Sequence, residues 1–402
     1  MKKSVYCIGT ALFFLILAGL PAETFRFIYR EGDNYRINSI VTQRVYINRR
    51  VSHSAEINNR IRVSVVSVED DGSAVHEARF MTTERTSNRS FSWGREYESR
   101  FSRNPRGRFT IDSRYFMPVV RDVPVFPEHD VAPGDQWESE GQEAHDLRDQ
   151  FGLAEPFTVP FTAEYTYVGR VQKDGKTLHH IQVEYNLFSD TPAQLAQKAT
   201  GDYPATTMGY SRQNLYWNNV EGFLDHYTEE FRIQMQLASG TVIEFRGEAR
   251  AEVTETELLD RERIVREMND ELNRLGIADT RASSTAEGIT ITLENIQFEP
   301  DSARLMPAEK AKITTIAALL ERYPDKELLI TGHTALAGTA AARKALSEER
   351  AEAVARFLVE MGVRNDYNVY TRGMGAEQPV APNDSERNRA KNRRVEITIL
   401  EQ

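Results

Sequence analysis

At 402 residues and 40% hydrophobic content, the chain has room for two or three globular domains, each able to bury a core. Its 60 acidic and 50 basic residues leave a formal charge of -10, which excludes a general binder of nucleic acid or anionic lipid, since such proteins carry a basic field. The single cysteine, Cys7, lies in an N-terminal apolar run. Once that run is removed, no thiol remains for disulfides, cysteine metal sites or thiol catalysis.

Met1-Lys2-Lys3 precedes apolar residues from Val5 to Leu20, and Leu20-Pro21-Ala22 supplies small residues ahead of Glu23. This pattern predicts a secretory signal over residues 1–22, cleaved near Ala22, and hence an exported protein. The run is shorter than the roughly 20 apolar residues of a membrane-spanning helix. Cys7 precedes the apolar core instead of following it as a lipidated cysteine would, so no anchor on cysteine is expected.

Residues 23–253 read as antiparallel β-structure. Phe25, Phe27 and Tyr29 alternate with Thr24, Arg26 and Ile28, and Ile181, Val183, Tyr185 and Leu187 alternate with Gln182, Glu184 and Asn186. Phe231, Ile233, Met235 and Leu237 repeat the pattern, and a period of two over this length predicts half-buried strands. Asp70-Asp71-Gly72-Ser73 and Lys173-Asp174-Gly175-Lys176 supply hairpin turns. Prolines at 118, 124, 127, 133 and 156 weaken the pattern between residues 105 and 160, where a subdomain boundary is expected. A transmembrane β-barrel over residues 23–253 is an alternative, because lipid-facing and core-facing residues alternate with the same period.

From Thr254 the period changes to that of a helix. Leu258, Val265, Met268, Leu272 and Leu275 recur between Glu and Arg residues, which predicts an amphipathic linker helix and loop over residues 254–284. Residues 285–402 then alternate strand and helix patterns: Ile289-Ile291-Leu293, a helix from Pro307, Leu328-Leu329-Ile330, a helix over Ala340–Met361, Val369-Tyr370-Thr371 and Val395-Ile397-Ile399. The fold class is α+β, with a C-terminal β-α-β-α-β-β domain whose two helices cover one face of a small mixed sheet.

Several short motifs occur in order within this domain. They are Phe298 with Ser302-Ala303, Gly332-His333-Thr334, Leu346-Ser347, Arg350-Ala351, Gly373-Met374-Gly375, Asn383, and Asn392-Arg393-Arg394-Val395. The set resembles the OmpA-like C-terminal domain that associates with peptidoglycan, over roughly the last 115 residues. The resemblance implies contacts from Arg350, Thr334, Phe298, Asn383 and Arg393 to a peptidoglycan stem peptide, with Arg350 receiving a carboxylate. It also implies an Asp after Gly-His-Thr to take the ammonium of diaminopimelate, but this chain has Ala335 there. Arg343 stands where the family usually has Asn, and a second cation disfavours an ammonium. The implied zwitterion pocket therefore becomes cationic, with weakened or altered diaminopimelate binding.

The residues themselves support a site at Arg350, which lies four residues after Leu346 and four before Val354. On a helix its base sits beside an apolar stripe, where a guanidinium needs an anion: a ligand, or an internal partner such as Asp301, Glu309 or Glu349. His333 has no companion His or Cys at ligand spacing, so no metal and no cofactor are expected. No catalytic spacing stands out, which predicts that the protein is not an enzyme. Arg387, Arg389, Lys391, Arg393 and Arg394 form a basic cluster expected to pair internally or to edge the groove, with no nucleic-acid role. The function expected is that of a periplasmic envelope protein, on or in the outer membrane, whose C-terminal domain associates with peptidoglycan or a nearby anionic ligand. The alternative is an OmpA-like scaffold that has lost wall binding and contacts another envelope protein.

Overall fold

The structure is a computed structural model that describes residues 22–85, 90–146, 157–199, 201–255, 259–299 and 302–401. The expected signal segment lies outside the described residues except for Ala22, and Leu258 and Asp301 lie outside them as well.

Long alternation produces long strands. Strands β1 (Asn34–Ile47), β2 (Arg50–Val68) and β3 (Ala74–Arg85) are followed by the two-residue β4 (Phe91–Ser92), β5 (Glu96–Arg103), β6 (Phe109–Ile111) and β7 (Val120–Arg121). Next come β8 (Gln136–His145), β9 (Phe157–Lys173), β10 (Lys176–Asp190), the single turn α1 (Ala193–Ala196), β11 (Pro204–Asn218), β12 (Phe223–Leu237) and β13 (Val242–Glu255). All but β4 join one sheet in the order β6-β5-β3-β2-β1-β13-β12-β11-β10-β9-β8-β7. Strand β1 pairs with β13 from Tyr35↔Glu255 to Ile47↔Ile243, so the first and last strands close the middle of the sheet. The expected boundary within 105–160 therefore does not divide this region into two subdomains. That stretch carries the chain from one sheet edge, β6, to the other, β7, a task suited to prolines because they withhold donors from a ladder.

The barrel alternative is corrected on two grounds. Among the described residues the terminal strands β6 and β7 do not pair with each other; they are linked by the Phe109 amide donating to the Asp122 carboxylate at 2.7 Å. The face turned away from the core also carries exposed Glu164, Gln182, Glu184, Glu230, Arg246, Glu248 and Arg250, which lipid would not tolerate. The other face buries Phe157, Tyr165, Tyr167, Ile181, Val183 and Trp217 against Phe25, Phe27 and Phe126, so that face is covered by the chain's own aromatic side chains. No described helix is long and apolar enough to cross a membrane.

The C-terminal part comprises α2 (Arg261–Arg274), β14 (Thr280–Ser284), β15 (Gly288–Glu294), α3 (Pro307–Leu320), β16 (Leu328–Gly332), α4 (Ala340–Glu360), a 3-10 turn at Asp366–Asn368, β17 (Val369–Gly373), α5 (Glu386–Asn392) and β18 (Arg394–Leu400). Its sheet has the order β14-β15-β18-β16-β17-β4, with β17 parallel to both β16 and β4. Compared with the expected β-α-β-α-β-β layout, an extra edge strand precedes the first, a short helix separates the last two, and a strand from the N-terminal region is added at β17.

Helix α2 is no free connector. Asp260 caps it by accepting from the Arg263 amide at 3.1 Å, and Ile264, Met268 and Leu272 enter the same core as Ile289, Ile291, Leu320 and Leu358. Asn269 accepts from the Ala282 amide and donates to its carbonyl, both at 2.9 Å, locking α2 to β14. The apolar stripe read as the face of a linker is thus a core face of the C-terminal domain.

The helix-free side of this second sheet lies against the first. Met81, Phe91, Leu329, Tyr370 and Leu400 form one buried cluster, with Trp93 and Tyr367 packed on it. Glu327, fully buried, pairs with Arg60 and, at 3.3 Å, with Arg36, while the Tyr370 hydroxyl donates to it at 3.3 Å. The Ser90 amide donates to the buried Glu352 carboxylate at 3.1 Å, and the Trp93 amide donates to the Thr371 carbonyl at 2.7 Å. The two sheets are therefore joined by an apolar cluster, a strand addition and buried charge.

Candidate functional site

Two glycines allow helix α4 to lie directly on β16 and β17. A Cβ on Gly332 would fall 2.0 Å from the Ser347 carbonyl oxygen, and one on Gly373 would fall 2.6 Å from the Glu348 amide nitrogen. This close approach brings the loops after both strands to the same helix face. The Thr334 amide donates to the Gly375 carbonyl at 2.8 Å, and the Gly375 amide donates to Ser347 Oγ at 2.8 Å. Arg343 donates from Nη1 to the Gly338 carbonyl, folding over the loop that carries Ala335.

The opposite wall is organised by Asn392, which is buried. It accepts from the Val380 and Ala381 amides at 2.9 and 3.0 Å, donates to the Ala381 carbonyl at 2.8 Å, and donates to Asn383 Oδ1 at 3.1 Å. Asn383 Oδ1 also accepts from the Leu336 amide at 3.0 Å, so the loop after β16 is tied to the loop before α5. Asn392→Ala should leave two amides without acceptors, cost about 2 kcal/mol, and speed amide exchange at residues 380–383. Denaturant melts and hydrogen exchange test this; unchanged exchange at 380–383 would remove Asn392 from its organising role.

Arg350 stacks over Phe298, with its guanidinium carbon 4.8 Å from the ring centroid. Its Nε is buried without a hydrogen-bond partner, and it forms no ion pair among the described residues. Two of the internal partners considered above are accounted for otherwise: Glu309 pairs with Lys312 at 3.1 Å, and Glu349 lies exposed on α4. Burial lowers the pKa of Arg350, and the nearby Arg393 lowers it further. Arg393 itself shares Glu386 with Arg389, at 2.6 and 3.1 Å. Thr334 Oγ1 and Arg343 Nε are likewise buried and unpartnered. Ala335 is buried and supplies no charge.

His333 is buried 3.4 Å from Glu396, too long for a well-formed hydrogen bond. Burial is the main cause of its lowered pKa. For Glu396 burial acts upward, but His333 and Arg394 outweigh it and hold the pKa at about 2. Among the described residues no group of three His, Cys, Asp or Glu side chains is placed to hold a metal.

Phe298 and Arg393 thus lie beside Arg350 at the middle of α4, Thr334 is joined through Gly375 to Ser347 on the same helix, Asn383 holds the loop that carries Ala335, and Arg343 binds the Gly338 carbonyl ahead of the helix. Sequence reasoning did not single out Ser347 and Asn392 as organisers, although both lie inside the motifs noted above. Their neighbours in those motifs were the available signal.

A family model described as OmpA family matches residues 297–393, so the C-terminal part carries an OmpA-family domain. The chain is 32% identical over 133 residues to the probable lipoprotein YiaD of Escherichia coli (strain K12), covering 33% of this chain and 59% of that protein. It is 39% identical over 104 residues to the peptidoglycan-binding protein ArfA of Mycobacterium tuberculosis (strain ATCC 25618 / H37Rv), covering 26% of this chain and 32% of that one. Among solved structures, an outer membrane protein of Borrelia burgdorferi B31 shares 35% identity, with a TM-score of 0.26, over 30% of this chain and 96% of that chain. The chain spans about three fifths or less of the length of these curated relatives, and the family model lies wholly outside the twelve-stranded sheet.

Proposed function

We propose that the protein is an exported, non-enzymatic component of the cell envelope, in the periplasm beside the outer membrane, whose C-terminal domain docks at the wall through the pocket at Arg350. The carrying observation is the state of Arg350: partly buried, stacked on Phe298, and without an acidic partner among the described residues. A guanidinium held in this way is completed by an anion from outside. The neutral side chain at Ala335, with Arg343 nearby, makes that anion a ligand without an ammonium group, so binding of a diaminopimelate stem is weakened. Likeness to a protein named for peptidoglycan binding supports wall association as the context.

The test is sedimentation with purified peptidoglycan, using the chain from Glu23 onward. Ala335→Asp should increase retention about tenfold or more, because it restores the carboxylate that the resemblance implies after Gly-His-Thr, and Arg350→Ala should abolish the gain. Wild-type retention as strong as that of Ala335→Asp would refute the altered-pocket reading.

A further inference from the structure

We propose that one end of the twelve-stranded sheet seats on an anionic phospholipid surface, through an apolar rim backed by arginine. This surface lies apart from the Arg350 pocket, and the inference does not rest on the reading of that pocket.

Register builds the rim. Cross-strand partners share a face of the sheet, so pairing aligns Phe188, Met208, Gln234, Glu244, Tyr46 and Val51 in one row from β10 to β2. The row crosses five strand intervals, about 24 Å. Phe188 is 66% exposed at one end and Val51 60% at the other, and Ile47, also exposed, stands at the tip between β1 and β2. That tip is held in place. The Asn48 amide donates to the Val242 carbonyl at 2.8 Å, and the Val242 amide donates to Asn48 Oδ1 at 2.9 Å, which joins it to the turn between β12 and β13.

The next row on the same face, two residues or about 7 Å further along the strands, places Tyr210, Arg232, Arg246 and Arg44 on adjacent strands. Like charges directly opposite one another destabilise a sheet. Glu244 relieves part of the repulsion by accepting from Arg232 at 3.1 Å and from Arg246. Arg44, Arg49 and Arg50 are exposed and form no ion pair among the described residues. Residues 44–55 hold those three arginines and no carboxylate, a local exception to the formal charge of -10. Asp190 and Asp202, at the same end of the sheet, are engaged by the hydroxyls of Thr206 and Ser239 at 2.7 and 2.6 Å. The third row, Glu184, Arg212, Glu230 and Glu248, returns to mixed charge about 13 Å from the rim.

This order of rows matches a bilayer interface, where apolar side chains enter roughly 5–10 Å, arginines meet lipid phosphates and carboxylates stay in water. A soluble polyanion would need the arginines but not the apolar rim in front of them.

Co-sedimentation tests the proposal with the chain from Glu23 onward, which lacks the apolar N-terminal run, and phosphatidylcholine vesicles with or without about 30% phosphatidylglycerol in about 0.1 M salt. Capture should require phosphatidylglycerol. Arg44→Gln combined with Arg50→Gln should weaken it about tenfold or more, and Phe188→Ser combined with Val51→Ser by a similar factor. All four positions are exposed, and circular dichroism verifies that the variants fold. Phe188→Trp should gain a blue-shifted emission component on mixing with the anionic vesicles, which reads insertion of that position directly. No capture, equal capture by phosphatidylcholine alone, or undiminished capture of the arginine variant would overturn the proposal. Undiminished capture of the apolar variant, with no emission shift in Phe188→Trp, would overturn it as well and assign the arginines to a soluble polyanion.

Discussion

Replacing Glu327 by alanine is expected to cost about 3 to 5 kcal/mol, because it strands two guanidiniums in an interior closed to water. Glu327 and Arg60 are 0% and 1% exposed, and Arg36 lies 3.3 Å from the same carboxylate. Burial alone would raise the pKa of Glu327, but Arg60, Arg36 and the Tyr370 hydroxyl together hold it below its ordinary value. With the carboxylate gone, mutual repulsion replaces attraction, and neither arginine can swing into solvent without parting the sheets. The loss falls on the junction, since each half retains its own core, around Trp217 in one and Ile397 in the other. Denaturant melts followed by tryptophan fluorescence and by far-ultraviolet dichroism should coincide in the wild type and separate in Glu327→Ala. A loss under about 1 kcal/mol, with coincident transitions, would show that the junction does not depend on this charge.

Acid should weaken the fold well before ordinary carboxylates protonate, and His76 is the main reason. It is fully buried, lies between the rings of Tyr29 and Phe101, and has Nδ1 3.1 Å from the Ala74 carbonyl oxygen. Burial, with Arg103 adding to it, lowers its pKa from 6.5 to about 4. Between those values the unfolded chain binds the proton and the native chain does not, so stability falls as the pH drops from 6.5 to about 4 and this contribution levels off below. The shift corresponds to about 3 kcal/mol. His179 and His333 are lowered as well and act in the same direction. Glu396, held at about 2, and Glu327, also lowered, extend the loss below pH 4.5. Glu229 opposes the trend: burial raises its pKa, so its protonated form favours the native state just above pH 4.5. Unfolding free energies at pH 7.5 and 4.5 should therefore differ by about 3 kcal/mol or more, and His76→Phe should remove most of the difference. An equal pH dependence in His76→Phe would exclude this histidine as the cause.

Much of the candidate site was legible because its pieces are local. Arg350 was placed beside an apolar stripe by spacing alone, and α4 runs over Ala340–Glu360, close to the Ala340–Met361 expected. The position of Ala335 after Gly332-His333-Thr334 likewise needs no structure to be noticed. What the pattern could not supply is the state of the guanidinium. Of the internal partners open to it from sequence, Glu309 is taken by Lys312 and Glu349 faces solvent, facts that depend on helix packing and not on spacing. The stripe at Val265, Met268 and Leu272 gave the helix but not its role, since periodicity states that a face is apolar without stating what covers it; Ile264 joins the buried face and Leu275 stays exposed.

By itself the sequence determined the antiparallel β character of residues 23–253, the two long helices of the C-terminal domain and the order of its motifs, although the alternation at Phe25, Phe27 and Tyr29 lies outside any strand, β1 beginning only at Asn34. Each follows from backbone periods of 2 or about 3.6 residues, written within a single segment. Tertiary structure alone decided that β1 meets β13, that β4 joins the second sheet beside β17, and that Arg60 meets Glu327 across 267 positions of sequence. These depend on which distant surfaces exclude water together. A charge acquires a buried partner, or is left in need of one, only when the assembled fold has removed the solvent that would otherwise serve it.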